Sequence, residues 1–368
     1  MKTIRYIMLG GFLGAGKTTT IARLARWYTD RGQKVGIVTN DQAQDLVDTN
    51  NLRSQGLTVA EVSGACFCCK FDDLVAQMSN LDRSQHPDII LAEPVGSCTD
   101  LVATVIQPMK DLFEARFSVA PYAVLFKPSH GLRILRGQKG GFSPKAEYIF
   151  RKQLEEADAI VVNRIDEISA PELAELQTLL AEQFPGIPVL TMSAKTGDGF
   201  DALPEFLARE GGFGRRILEI DYDLYAEGEA ELGWLNSTLE LTSAVSFSLD
   251  DFTLRLIERI AATLRTTDSE VAHLKLIGLE DGHFAVANVV SSATAPVLSL
   301  ASGMHVRHAD LIINARVATD PMILESLSHQ EALTLGAEMG VAVEFRQSQS
   351  LRPGRPTPTH RYPKVEAI

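Results

Sequence analysis

Three groups of residues in this chain have the types and spacing to do chemistry. The first is Gly11-Phe12-Leu13-Gly14-Ala15-Gly16-Lys17-Thr18, a complete G-x-x-x-x-G-K-[ST] phosphate loop. Backbone N–H groups around Gly11, Gly14, Ala15 and Gly16, continuing through Lys17, Thr18 and Thr19, can cradle the phosphates of a nucleoside triphosphate at the positive end of a helix. Lys17 would reach the β- and γ-phosphates and stabilise charge on the phosphoryl oxygens, and the Thr18 hydroxyl would ligate Mg2+. The second group is Cys66-Phe67-Cys68-Cys69. Three thiols within four residues can converge on one soft or borderline metal, with water, Cys98 or His86 completing a tetrahedron. A single buried cysteine would instead simply pack.

The third group is a series of short motifs. Glu93-Pro94-Val95-Gly96 offers a carboxylate for a phosphate-bound Mg2+ or for water, and a glycine N–H that can sense a γ-phosphate. Asn163-Arg164-Ile165-Asp166 looks like the guanine-reading N-K-x-D of GTPases with Arg in place of Lys. The Asp166 carboxylate can accept from guanine N1–H and the exocyclic amine, and Arg164 can lie over the purine ring. Ser193-Ala194-Lys195 is the partner motif, whose backbone N–H meets the guanine O6. In this order the motifs favour GTP over ATP.

The elements that must position these groups can be read from apolar patterning. Residues 4–9 read as a buried strand, and 18–28 as a helix with Ile21, Leu24, Ala25 and Tyr28 on one side. Further apolar runs lie at 35–39, 59–62, 88–92, 122–126, 159–163 and 189–192, alternating with helical stretches. That alternation predicts an α/β fold, a P-loop GTPase domain over 1–212 with a mostly parallel sheet and helices on both faces. The single-group motifs then fall just past strand ends, where ligands of open α/β sheets bind.

Beyond it, 213–235 reads as an acidic linker and 236–347 as a smaller C-terminal α+β domain, suited to docking a client or subunit. Helices are expected at 251–264 and 321–339, and strands at 274–279, 284–290, 311–317 and 341–345. A Pro-rich basic tail, 348–368, is expected to be a mobile or clamped extension. Between Lys127 and Lys145 lies a Gly-rich basic loop with Arg133, Arg136 and Lys139, which can order against an acidic client. His305 and His308 sit close enough for a metal pair at helical spacing, although two surface histidines explain them as well.

Composition narrows the class. With 368 residues there is room for two domains and a sizeable core. A formal net charge of −12 argues against a general nucleic-acid binder. No run of about 18 apolar residues suggests a membrane span. With the sequence opening on a strand no signal peptide is expected, and four cysteines, three of them crowded together, do not read as a disulfide framework. Reduced thiols and a cytoplasmic location are expected.

The motifs GGFLGAGKTT, GACFCC, EPVG, NRID and SAK, in this order over the first two hundred or so residues, resemble the CobW-like family of P-loop GTPases, relatives of the urease and hydrogenase nickel-insertion GTPases. The resemblance implies GTP hydrolysis coupled to delivery of a metal ion, Zn2+ or Co2+, to a client metalloprotein. It places Lys17 and Thr18 on phosphate and Mg2+, Cys66, Cys68 and Cys69 on the delivered metal, and Asn163 and Asp166 on guanine. Three features depart from the family. Its Asn-Glu is Asn40-Asp41 here, making Asp41 a candidate for the Mg2+ shell or for positioning water. Lys127-Pro128 follows the strand that many relatives end with Asp, and the histidine-rich loop of some members is missing.

The expected protein is a GTP-hydrolysing metallochaperone whose catalytic residues are Lys17, Asp41 and Glu93, with a homodimer as a further expectation. The alternatives are a regulatory GTPase whose cysteines sense redox or metal, a chaperone for a corrinoid or other cofactor enzyme, and a P-loop small-molecule kinase. The kinase would take ATP and an acceptor, and it leaves NRID, SAK and the thiols without a role.

Overall fold

In the computed structural model, residues 3–41, 52–53, 56–138, 142–267 and 269–365 are described. They fall into two compact units: Met1–Ala226 together with Arg355–Ile368, and Glu227–Gly354. The residues that follow Asn40-Asp41, 42–51, lie outside the described residues, as does Lys139.

The first unit is built on a sheet whose described pairings are all parallel. Its strands are β1 (Ile4–Gly11), β2 (Val35–Asp41), β3 (Val59–Ser63), β4 (Ile89–Glu93), β5 (Phe117–Val119), β6 (Ala123–Phe126), β7 (Ala159–Val162) and β8 (Val189–Thr191), in the order β3-β2-β4-β1-β6-β7-β8. The short β5, absent from the sequence expectations, pairs with the first residues of β1. Strands β4, β6 and β7 are buried at every position, which is why they read as unbroken apolar runs. Helices α1 (Lys17–Thr29), α2 (Phe71–Gln85), α3 (Gln107–Phe113), α4 (Pro128–Leu135), α5 (Pro144–Glu155), α6 (Ala170–Gln183) and α7 (Ala202–Leu207) connect them. Ile21, Leu24 and Ala25 of α1 pack on Ile7, Leu9, Leu91 and Leu125 of the sheet. The order reverses at β1, so the crevice past its C-terminal end is the topological switch point of the sheet.

Two expectations for this unit change. Part of the basic loop expected over 127–145 is α4, because His130, Leu132, Ile134 and Leu135 form a buried face. Arg136, just past it, forms a two-pronged ion pair with Glu175, at 2.8 and 2.6 Å. In the stretch expected as linker, α8 (Tyr222–Ala230) forms instead.

The second unit holds a six-stranded antiparallel sheet in the order β12-β11-β10-β13-β9-β14. Its strands are β9 (Gly233–Ser248), β10 (Val271–Glu280), β11 (His283–Val289), β12 (Val297–Leu300), β13 (His305–Val317) and β14 (Ala342–Leu351). Helices α9 (Leu249–Thr266) and α10 (Pro321–Met339) contribute to its core. There Phe252, Leu256 and Ile260 of α9 and Leu324 and Leu335 of α10 meet Leu239, Leu276, Leu311 and Ile313. Both helices start on side-chain caps: Ser248 Oγ accepts from Asp251 N–H at 3.2 Å, and an Asp320 oxygen accepts from Met322 N–H at 2.9 Å. His305 and His308 lie on a strand, not a helix, and the His308 ring sits between Glu280 and Glu240 at 3.1 and 2.8 Å.

Candidate functional site

The phosphate loop leaves β1 at Gly11 and ends at Gly16, whose φ of 89° lies in the left-handed region. A Cβ there would also come within 2.4 Å of Asn163 Nδ2, so position 16 demands glycine twice over. Lys17 Nζ folds back over the loop and donates to Gly11 O at 2.9 Å. Thr18 Oγ1 donates to Glu93 Oε1 at 2.9 Å, and both side chains are buried. A hydroxyl and a carboxylate at the head of α1 are the hard oxygen donors that Mg2+ prefers. Past Glu93, the backbone at Gly96 presses against the loop: a Cβ at Gly96 would meet Leu13 at 2.7 Å.

Asn163 ties the phosphate loop to the far side of the sheet. Its Nδ2 donates to Ala15 O at 2.8 Å and its Oδ1 accepts from Ala194 N–H at 2.9 Å. Asp166 is exposed on the 3-10 turn Ile165–Glu167, and Arg164, at φ 64°, pairs with Glu167. Ser193 Oγ accepts from Thr196 N–H at 3.0 Å, and Arg23 donates to the carbonyls of Ala194 and Lys195 at 2.7 and 2.9 Å. Asn163, Asp166, Ser193, Ala194 and Lys195 thus gather past β7 and β8.

The thiol group comes after β3. Cys66, Cys68 and Cys69 place their sulfurs within 4.8 Å of one another, with Sγ separations of 3.0, 3.2 and 3.8 Å. Tetrahedral zinc with Zn–S near 2.3 Å needs sulfurs about 3.8 Å apart, so the cluster fits one ion after a small expansion. Hydrogen bonding with Cys68, then Cys69 and Cys98, holds Cys66 well below the ordinary thiol value. The contact with Cys66 pushes Cys68 up and raises Cys69 to about 11. Of the three thiols, Cys66 is the one that gives up its proton most readily.

Of the two fourth-ligand candidates, one is brought in and the other is not. Cys98, buried two residues past Gly96, reaches Cys66. His86 caps the far end of α2, about 22 Å along a helix of this length from Phe71, and its side chain is 79 % exposed beside Asp82. Asp41 ends β2, opposite Ser63 in register, and its side chain lies outside the described residues.

Several residues that hold the site escaped sequence reasoning. Asn40 Nδ2 donates to Val62 O and Ala65 O at 2.9 and 2.7 Å, and its Oδ1 accepts from Phe67 N–H at 2.8 Å, pinning the thiol loop to the end of β2. Gln153 on α5 donates to Gly96 O and Cys98 O at 3.0 and 2.8 Å. The buried Glu156 accepts from Val102 N–H at 3.0 Å, and its carboxyl is pushed up by desolvation. Gln153 left one signal: it is a polar residue inside the buried stripe Ile149, Phe150, Leu154.

A parallel sheet carrying this loop at its switch point defines a P-loop nucleotide-binding domain. Residues 5–191 match the family described as CobW/HypB/UreG, nucleotide-binding domain, and the chain belongs to that family. It is 30% identical over 178 residues to the zinc chaperone YeiR of Escherichia coli (strain K12), covering 46% of this chain and 49% of YeiR. It is 29% identical over 212 residues to the zinc chaperone CobW of Sinorhizobium sp, covering 52% and 59%. The matches thus span about half the length of these curated relatives. Among solved structures, HypB from Helicobacter pylori in complex with nickel aligns at 15% identity with a TM-score of 0.40, covering 57% of this chain and 93% of that one. Among the described residues no helix is long and apolar enough to cross a membrane.

Proposed function

We propose that this protein is a GTP-hydrolysing metallochaperone that carries a divalent metal, Zn2+ or Co2+, on Cys66, Cys68 and Cys69 and hands it to a client metalloprotein or cofactor-maturation enzyme. One observation carries the reading: Cys98 touches Cys66 and sits two residues beyond Gly96, in the segment that starts at Glu93. The residues that would meet the γ-phosphate and those that would hold the cargo are therefore linked through one short loop. Strand order supports this, since the ends of β1 and β3 lie three strand spacings apart, about 14 Å.

In this reading Lys17 and the loop N–H groups bind the phosphates, and Asp166 together with the Ser193-Ala194-Lys195 turn selects guanine. Thr18 and Glu93 would hold Mg2+, which when bound neutralises charge on the phosphate oxygens. Glu93 also orients water, with Asp41 a second carboxylate for that role. Cys98 completes a fourth position on the cargo metal. Gln153 fixes the carbonyls of Gly96 and Cys98, so that loop moves as a piece.

The test is Zn2+ and Co2+ affinity with Mg2+-GTP, Mg2+-GDP and no nucleotide, for the wild-type chain and a Cys66→Ser, Cys68→Ser, Cys69→Ser variant. Tight stoichiometric binding that needs the thiols and changes with nucleotide is expected. Binding indifferent to both would leave a GTPase whose cysteines only pack. Transfer to a client, as against retention, separates delivery from sensing.

A further inference from the structure

The chain returns to the first unit at Arg355, and its next residues lie against the thiol cluster. Thr357 N–H donates to Cys69 Sγ at 3.3 Å, Thr359 N–H to Cys68 O at 2.8 Å, and Thr359 Oγ1 to Cys69 O at 3.1 Å. The His360 ring stands edge-on to Phe71, the first residue of α2, with centroids 5.1 Å apart. Arg361 then bonds Asp100 Oδ2 at 2.7 Å and Leu218 O at 2.9 Å, and Tyr362 N–H bonds Ala103 O at 3.0 Å. Arg355 pairs with Asp223 at 2.7 Å, and Tyr362 Oη bonds Asp111.

The segment thus runs from the metal-binding sulfurs to Asp100, two residues past Cys98. Asp100 is itself constrained: it is buried, has a φ of 63°, and takes a second hydrogen bond from Tyr222 at 2.8 Å.

Two features suit this segment to come and go. Arg355, Thr357, Thr359 and Arg361 are exposed and only Pro356 of the segment is buried, so polar contacts hold most of it, and such segments open at low free-energy cost. Pro356 and Pro358 alternate with the two threonines and preset an extended backbone, which lowers the entropy lost on docking. The groove is complementary in charge and in hydrogen-bonding sense. It offers acceptors: the carbonyls of Cys68, Cys69, Ala103 and Leu218 and the carboxylates of Asp100, Asp111 and Asp223.

We infer that this groove is a binding surface for an extended, proline-rich, arginine-bearing peptide, filled in the free protein by residues 355–362, and that this strap sets the rate at which metal enters and leaves Cys66, Cys68 and Cys69. The consequence for metal rests on the metal-carrier reading, while the strap itself can be judged without metal. Opening the site requires the strap to leave, and Arg361 on Asp100 brings a change in the loop past Gly96 to its anchor.

The experiment compares the full chain with a chain ending at Gly354, and with Thr357→Pro and Arg361→Ala in the full chain. Thr357 lies between two prolines, so the proline variant deletes one N–H donor and keeps the extended path. The first readout is the rate of maleimide modification of Cys69 in metal-free protein, located by mass spectrometry. The second is the rate of zinc loss to a chromophoric chelator. Both rates are expected to rise about tenfold in the shortened chain and a few-fold in the point variants, the loss of roughly one net hydrogen bond or less. A synthetic peptide of residues 355–363 should restore slow rates to the shortened chain, and a scrambled peptide should not. Should the shortened chain fail to fold, the two point variants decide. Unchanged Cys69 modification in the variants overturns the strap. Absence of zinc binding by the full chain overturns the metal-carrier reading and leaves the strap to the maleimide result.

Discussion

The two sheets use their strands in opposite ways. In the parallel sheet every strand points the same way, so the C-terminal ends of β1, β2, β3, β4, β7 and β8 all open on one edge, and the polar residues past them collect there. In the antiparallel sheet of the second unit, strand ends alternate between two edges. Its chemistry-bearing side chains, such as Lys275, Asn314 and Arg316, are dispersed along strand interiors and largely buried. The lesson is about geometry before residue type. Ordinary Asn, Asp, Ser and Lys gather at one edge of the first sheet because strand direction focuses them, and stay dispersed in the other.

The sharpest way to break that contrast is at the two lysines. Lys17→Ala should lower GTP hydrolysis by about 10²–10³-fold, because charge on the transferred phosphoryl group loses its stabilising partner. Lys275→Met should leave hydrolysis within about twofold. A steady-state phosphate-release assay decides, and equal losses for the two would undo the assignment.

The next effect concerns pH. Cys68 and Cys69 have raised pKa values, that of Cys69 about 11, so zinc would have to displace their protons at neutral pH, whereas Cys66 is held well below the ordinary thiol value. Raising pH therefore strengthens binding, by up to about tenfold per unit for each proton released, or about 10²-fold for two. Competition titrations at three pH values together with measured proton release check the sign. A flat profile is the unfavourable result.

Smaller still is Asn40→Ala, which removes three hydrogen bonds that pin the thiol loop. Zinc affinity should fall about 10-fold while nucleotide affinity holds, as competition binding would show. Least visible at the site is Leu276→Ala in the second unit's core. It should cost that unit about 2–5 kcal/mol by denaturant unfolding yet leave hydrolysis essentially unchanged. A proportional loss of hydrolysis would show that the two units do not act separately.

Much of the first unit was legible because buried parallel strands leave unbroken apolar runs, and their motifs come directly after. The strands at 35–41, 59–63, 89–93 and 159–162 fall within a residue or two of their expected bounds. The 16-residue β9 was not legible. Its sequence, WLNSTLELTSAVSFS after Gly233, alternates only weakly, and partners on both sides, β13 and β14, hold it rather than local propensity. The acidic 219–231 stretch read as linker because its charges mask a helix that buries Tyr225 and Glu229. In the thiol cluster the cysteines were visible and their supports were not. Nothing periodic or motif-like connects Asn40 or Thr357 to cysteines tens or hundreds of residues away.

The register of β14 on β9 has one more consequence. Trp234, near the start of the second unit, is paired with Leu351, near its end. Entry and exit of a unit of well over a hundred residues are thus neighbours on adjacent strands, and almost no loop-closure entropy separates the native chain from one in which a short turn replaces the whole insertion. The second unit is in that sense a cassette. It can be excised, or exchanged for another with closely spaced ends, while the chain still delivers residues 355–362 to the first unit.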